Sequence, residues 1–266
     1  MTGYSLFSGS SGNCIYLREE NTEILIDAGG SMKKIETALQ EIGSSLSQIS
    51  AIFITHEHSD HTRALPTICG KFQIPVYCQK KVAKEIYLEL LRKEKKRDAA
   101  FLAKCIRTVE PGFEYEIGSI LISPFSTPHD SVESQGFVIG EKLLGIATDL
   151  GHVTSEVENY LLGCKTVVME SNHDLEMLWN GPYPAYLKER VASDFGHLSN
   201  SSCSEFVKKL FLAGCQNFTL FHLSEENNTP ETALLENQKA LEEVGAALGE
   251  EVFLRVAARF EVTKIL

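Results

Sequence analysis

Five apolar, strand-sized runs in this chain each end in an acid or a histidine: "EILI" before Asp27, "AIFIT" before His56, "ILISPFSTP" before His129, "LLGIAT" before Asp149 and "NFTLF" before His222. Runs of this length, too short to span a membrane, are buried as strands. One edge of the fold therefore collects their terminal side chains. Helical patterns fall between them, from Met32 to Ile42, from about Ser155 (with Glu158 at capping-box spacing), near Ser199 and from about Pro230. The terminal strands are expected around "VFLRVA" and "RFEVTKI". Two mixed β-rich halves, each flanked by helices, predict an α/β (α+β) fold of the four-layer αββα kind. No linker or internal repeat interrupts it, so residues 1–266 read as a single domain of two pseudo-halves.

The densest feature is "ITHEHSDH" at 54–61, which puts His56, His58, Asp60 and His61 into six positions. On a helix His56 and His58 would lie about 200° apart. An irregular turn after a strand aims them at one point, and Asp60 and His61 at a second. Imidazole nitrogens with a carboxylate suit Zn²⁺, Mn²⁺ or Fe²⁺. The helical His-Glu-x-x-His arrangement of zinc proteases fails on spacing, because position 60 is Asp.

A net charge of −11 argues against indiscriminate nucleic-acid binding over the whole surface. Residues 80–107 nevertheless hold ten Lys/Arg against four acids, inside a basic helical segment at about 79–107. That segment is either a solvated helix face with pairs such as Glu89 and Lys93, or a nucleic-acid contact. Seven cysteines without a CxxC pair read as reduced, buried thiols. With no membrane segment and no leader pattern, a soluble cytoplasmic protein is expected.

"THEHSDH" with downstream His129, Asp149 and His222 resembles the metallo-β-lactamase-fold hydrolases. That resemblance implies an αββα fold and two divalent metal ions, Zn, Mn or Fe. It implies His56, His58 and His129 on one ion, Asp60, His61 and His222 on the other, and Asp149 bridging. Asp27 would brace the histidine turn without binding metal. "FSGSSGN" near the start, "VMESNHDLEMLWNGPYPAYLKERVASDFGHLSN" at 168–200 and "LFHLSEENNTPE" at 220–231 closely resemble the YycJ/WalJ (VicX) branch of that family, which is more distantly similar to RNase Z and RNase J.

The branch implies a phosphodiester hydrolase using a hydroxide bridged by two metals, expected to be a 5′→3′ DNA exonuclease with a repair role. His197 would protonate the leaving oxygen, or else bond a neighbouring backbone group at its helix start; Glu170 would orient it or equally brace its turn, and Asp60 completes the catalytic set. Candidate substrate contacts are Ser8, Ser10 and Asn13 in the Gly/Ser-rich loop, Asn172 and His173 after "TVVMES", and Ser199 and Asn200 at a helix start. Ser199 and Asn200 are equally ordinary helix caps, and turn chemistry alone explains the first loop. His152 and His173 lie outside the implied ligand set. Trp179, Tyr183 and Tyr186 either stack on bases or pack their loop. The rival readings are a small-molecule cyclic phosphodiesterase, a thioesterase or lactonase, and a non-catalytic regulatory scaffold.

Overall fold

A computed structural model describes residues 1–266. They divide into two compact units, one made of residues 1–124, 131–133 and 258–266, the other of residues 125–130 and 134–257.

The first unit begins as an antiparallel meander of β1 (Thr2–Phe7), β2 (Cys14–Glu19) and β3 (Thr22–Ile26). It continues in parallel through β4 (Ala51–Phe53), β5 (Val76–Cys78) and β6 (Ile106–Thr108). Parallel neighbours need crossovers. These are α1 (Met32–Glu41), then α2 (Ser59–Thr62) with α3 (Leu65–Phe72), then α4 (Lys80–Arg92) with α5 (Lys96–Cys105). Ile35, Leu39, Ile68, Val82, Ile86 and Leu102 of these helices pack with Leu25, Ile52 and Val76 of the sheet in one apolar core.

β7 (Tyr115–Ile117) and β8 (Ile120–Ser126) form a hairpin. The second unit runs through β9 (Gln135–Ile139) and β10 (Leu144–Ala147), which are antiparallel, and then in parallel through β11 (Thr166–Glu170), β12 (Asn217–Phe221) and β13 (Phe253–Val256). Its crossovers are α6 (Ser155–Leu161), the series α7 (Leu175–Asn180), α8 (Ala185–Val191) and α9 (Asn200–Leu212), and α10 (Pro230–Glu243). The closing strand β14 (Thr263–Lys264) pairs with β1 and belongs to the first unit. Two seven-stranded sheets result, in the orders β14-β1-β2-β3-β4-β5-β6 and β13-β12-β11-β10-β9-β8-β7. β3, β4, β9, β10 and β11 are buried along their whole length, which is why they read as unbroken apolar runs.

Several elements depart from the sequence reading. Helix α6 is capped by Thr154, whose hydroxyl accepts from Val157 N, so Ser155 is already inside the helix. The 59–62 segment closes into a single helical turn. "RFEVTKI" contributes only two paired residues. The basic segment is not one helix: Glu94 adopts φ +59°, the Glu94 amide donates to Leu91 O and the Lys95 amide to Leu90 O. This double closure ends α4 and restarts the chain as α5. All seven cysteines are buried and unpaired, and no helix is long and apolar enough to cross a membrane.

Candidate functional site

In open α/β sheets, polar chemistry gathers beyond the carboxyl ends of parallel strands. In the first unit, Asp27 follows β3 and Thr55 and His56 follow β4. Asp27 is buried and sits at φ +64°. Its Oδ1 accepts from the Thr55 amide at 2.9 Å, and its carboxylate takes the Thr55 hydroxyl at 2.9 Å and His61 Nδ1 at 2.7 Å. Burial raises its pKa, and the bonds from His61 and Thr55 pull the other way. With the Thr55 proton directed to Asp27, Thr55 Oγ1 is left to accept from His56 Nδ1 at 3.0 Å. The rings of His56, His58 and His61 cluster, with centroids 4.6 Å (His56 to His58) and 4.2 Å (His56 to His61) apart.

Asn13 fixes the tautomer of His61. Its Oδ1 accepts from Gly9 N at 2.8 Å, so the amide nitrogen faces His61 Nε2 at 3.0 Å. An amide nitrogen only donates, so Nε2 carries a lone pair and Nδ1 the proton; the Asn13 amide sits where an ion on Nε2 would bind and would give way to it. The loop fits closely: Asn13 N donates to Asp60 O at 2.8 Å, and a Cβ on Gly29 would come within 1.5 Å of that same oxygen. This is the physical requirement behind glycine in "DAGG".

In the second unit, Asp149 lies beyond β10, Glu170 ends β11 and His222 follows β12. Asp149 and His222 occupy left-handed backbone at φ +55° and +56°, a conformation costing about 1–2 kcal/mol for a residue with a Cβ. Glu170 is fully buried. Its Oε1 accepts from His197 Nδ1 at 2.8 Å and His222 Nδ1 at 2.9 Å, and its Oε2 from the Leu150 and Leu198 amides at 2.9 and 3.2 Å. Burial pushes this carboxyl up, but the His197 charge and the two imidazole donors outweigh it and bring the pKa to about 2. His129 Nδ1 donates to Gly196 O at 3.0 Å. Burial lowers the His129 pKa and Asp149 partly offsets this. Asp149, Glu170, His197 and His222 each bring a ligand-type atom within 4.8 Å of the others.

These donors fit divalent metals. In His61, His129 and His222, Nδ1 is held by Asp27, the Gly196 carbonyl and Glu170. Acceptors of this kind force the proton onto Nδ1 and leave Nε2 as the ligating nitrogen, the arrangement that orients metal-bound histidines.

The other candidate residues take varied positions. Ser8 is buried and Ser10 exposed. Asn172 is buried, and its side chain donates to His222 O at 2.8 Å. His173 is buried with its Nδ1 unpaired, and burial lowers its pKa to about 4. Ser199 caps α9 by accepting from Ser202 N at 3.1 Å. Asn200 is buried, its amide spent on Ser171 and Asn228. His152 Nδ1 meets Asp194 O at 2.9 Å. Trp179 and Tyr186 are exposed. Sequence reasoning missed Thr55, although it directly precedes the first motif histidine. It also missed Arg190, which pairs through both carboxylate oxygens with Asp130, the neighbour of His129. No local signal links residues 60 positions apart.

A family model described as the beta-lactamase superfamily domain matches residues 22–222. The chain is 32% identical over 247 residues to the exodeoxyribonuclease YycJ of Bacillus anthracis, covering 92% of this chain and 90% of that protein. It is 34% identical over 256 residues to the exodeoxyribonuclease WalJ of Streptococcus pneumoniae, covering 93% and 91%. The crystal structure of Zn²⁺-bound PqqB from Methylobacterium extorquens matches with a TM-score of 0.69 at 15% identity, over 99% of each chain, which shows the shared fold.

Proposed function

The chain belongs to the metallo-β-lactamase superfamily, in its YycJ/WalJ branch, and from that premise we propose that it is a metal-dependent phosphodiesterase that degrades DNA from a 5′ end. The observation that carries this reading is the fixed presentation of Nε2 by His61, His129 and His222, each Nδ1 being held by a buried acceptor. His56, His58 and His129 would hold one ion, Asp60, His61 and His222 the other, with Asp149 shared by both. When bound, two such ions, Zn²⁺, Mn²⁺ or Fe²⁺, supply Lewis acidity and lower the pKa of water.

The chain's own residues account for the proton. Ionised Glu170 holds His197 through Nδ1, which stabilises the imidazolium and leaves its Nε2–H to protonate the leaving oxygen. Asp60 serves as a ligand whose loss removes one ion. Asn13, Ser8 and Ser10, with Asn172, His173, Ser199 and Asn200, would shape the substrate's seat. For Asn172 and Asn200 the role is to hold the loops that carry it. The exodeoxyribonuclease names of the relatives favour DNA, and the branch resemblance supports a repair role, which predicts a raised mutation rate when the gene is deleted.

The test is digestion of end-labelled single- and double-stranded DNA and RNA, with and without 5′-phosphate, across Mn²⁺, Zn²⁺ and Fe²⁺. A ladder growing from the 5′ end of DNA, lost in Asp60→Ala, is expected. Turnover confined to cyclic nucleotides or acyl esters would overturn the reading.

A further inference from the structure

The first unit carries a second feature next to the histidine turn that the hydrolytic reading does not use. A cavity of about 280 Å³ is lined by Ser59, Thr62, Arg63, Glu89, Lys93 and Lys95, over a floor formed by Pro66, Ile86 and Leu90. Ser59 and Thr62 directly follow His58 and His61 in sequence. The Thr62 hydroxyl donates to Glu57 O and His58 O at 3.1 and 3.0 Å, so the wall of the cavity is the back of the turn itself. Arg63 Nη1 donates to Ser11 O at 3.3 Å, tying the residue after that turn to the Gly/Ser-rich loop.

The charges do not follow from folding alone. Glu89, paired i,i+4 with Lys93, offsets one of the three cations Arg63, Lys93 and Lys95, which leaves the lining with two positive charges in surplus in a chain of net charge −11. A basic residue at the end of α4 is ordinary, since it complements the helix dipole. Lys95, however, occupies the N-cap of α5, and Lys96 and Arg97 open the helix ahead of a single acid, Asp98, where the dipole favours acids. The left-handed Glu94 at the α4 to α5 break sets Lys93 and Lys95 on either side of one residue, and both line the cavity. An uninterrupted helix would have turned them about 200° apart.

We infer that this cavity holds a phosphate of the nucleic-acid strand, using Arg63, Lys93 and Lys95, and so fixes the strand beside the histidine turn. The inference rests on the DNA reading above, which it deepens by naming a phosphate seat. A terminal phosphate monoester and an internal diester share the recognised chemistry.

The experiment measures binding and turnover separately. Metal-loaded protein is titrated with a 3′-fluorescein, phosphorothioate-linked 12-mer carrying either a 5′-phosphate or a 5′-hydroxyl. The wild type is compared with Lys93→Gln/Lys95→Gln and with Arg63→Gln. Thermal melts check folding, and hydrolysis of bis(p-nitrophenyl) phosphate reports on the hydrolytic centre. The double variant should bind DNA about tenfold more weakly and lose roughly 0.7 of the salt slope per phosphate contact removed, with small-substrate turnover unchanged. A preference for 5′-phosphate that disappears in the variants supports a terminal seat, and equal loss with both ends supports an internal one. Unchanged DNA affinity in folded variants overturns the inference while leaving the nuclease reading standing. Weakened binding in a protein that never cleaves DNA sustains the phosphate seat and sinks the nuclease reading instead. A wild type that binds neither oligonucleotide overturns both.

Discussion

Asp27 and Glu170 both accept from imidazole Nδ1 groups at the ends of strands in the two units, yet their surroundings differ. Asp27 receives one imidazole and one threonine, and burial raises its pKa. Glu170 receives two imidazoles and two backbone amides, and is held down to about 2. Burial opposes the charge at both positions, so the number and charge of the partners decide the outcome. A carboxylate that steadies one ring is a brace. One that also carries His197 can stabilise a proton donor.

Glu170→Gln tests that difference most severely. It removes the charge from two histidines at once, and kcat/KM on DNA should fall about 10³-fold or more. The fall should include kcat, measured with metal content checked on the same sample. Asp27→Asn should cost less, about 10–100-fold in metal affinity, read by titration against a chelator, with much of the activity regained at high metal concentration. If Asp27→Asn proves as damaging to kcat as Glu170→Gln under saturating metal, the distinction between brace and proton-donor support fails.

Smaller effects sharpen the comparison at the level of the backbone. Gly29→Ala places a Cβ against Asp60 O and should destabilise the protein by about 1–3 kcal/mol, seen as a lower denaturation midpoint. The turn that carries Asp60 would have to move, so metal affinity should drop in parallel. Glu94→Gly relieves a left-handed residue at a helix end where glycine is the usual occupant. It should raise stability by up to about 1 kcal/mol in denaturant melts, without altering metal affinity.

The two units also differed in how much of them could be read in advance. The first unit's candidate donors stand within six residues, so a local pattern marks them together, whereas His129, Asp149 and His222 are visible only as single residues ending apolar runs. The strand-sized runs placed most strands and the two mixed sheets, because burial on both faces demands continuous apolar sequence. The short closing strand, the one-turn helix at Ser59–Thr62 and the split of the basic segment were not legible. Each depends on backbone closures, such as the Lys95 amide to Leu90 O, that no residue type announces; a glutamate at φ +59° is not a turn signal.

Residue types and their order determined that donors suited to divalent metals would terminate buried strands, since strand-length apolar runs and ligand chemistry are both local properties of a sequence. Only the tertiary structure decided which nitrogen each histidine presents. That choice is made by a hydrogen-bond partner far away in the chain, Asp27 for His61, the Gly196 carbonyl for His129 and Glu170 for His222. A proton goes to the ring nitrogen that faces an acceptor, and folding alone brings that acceptor into place.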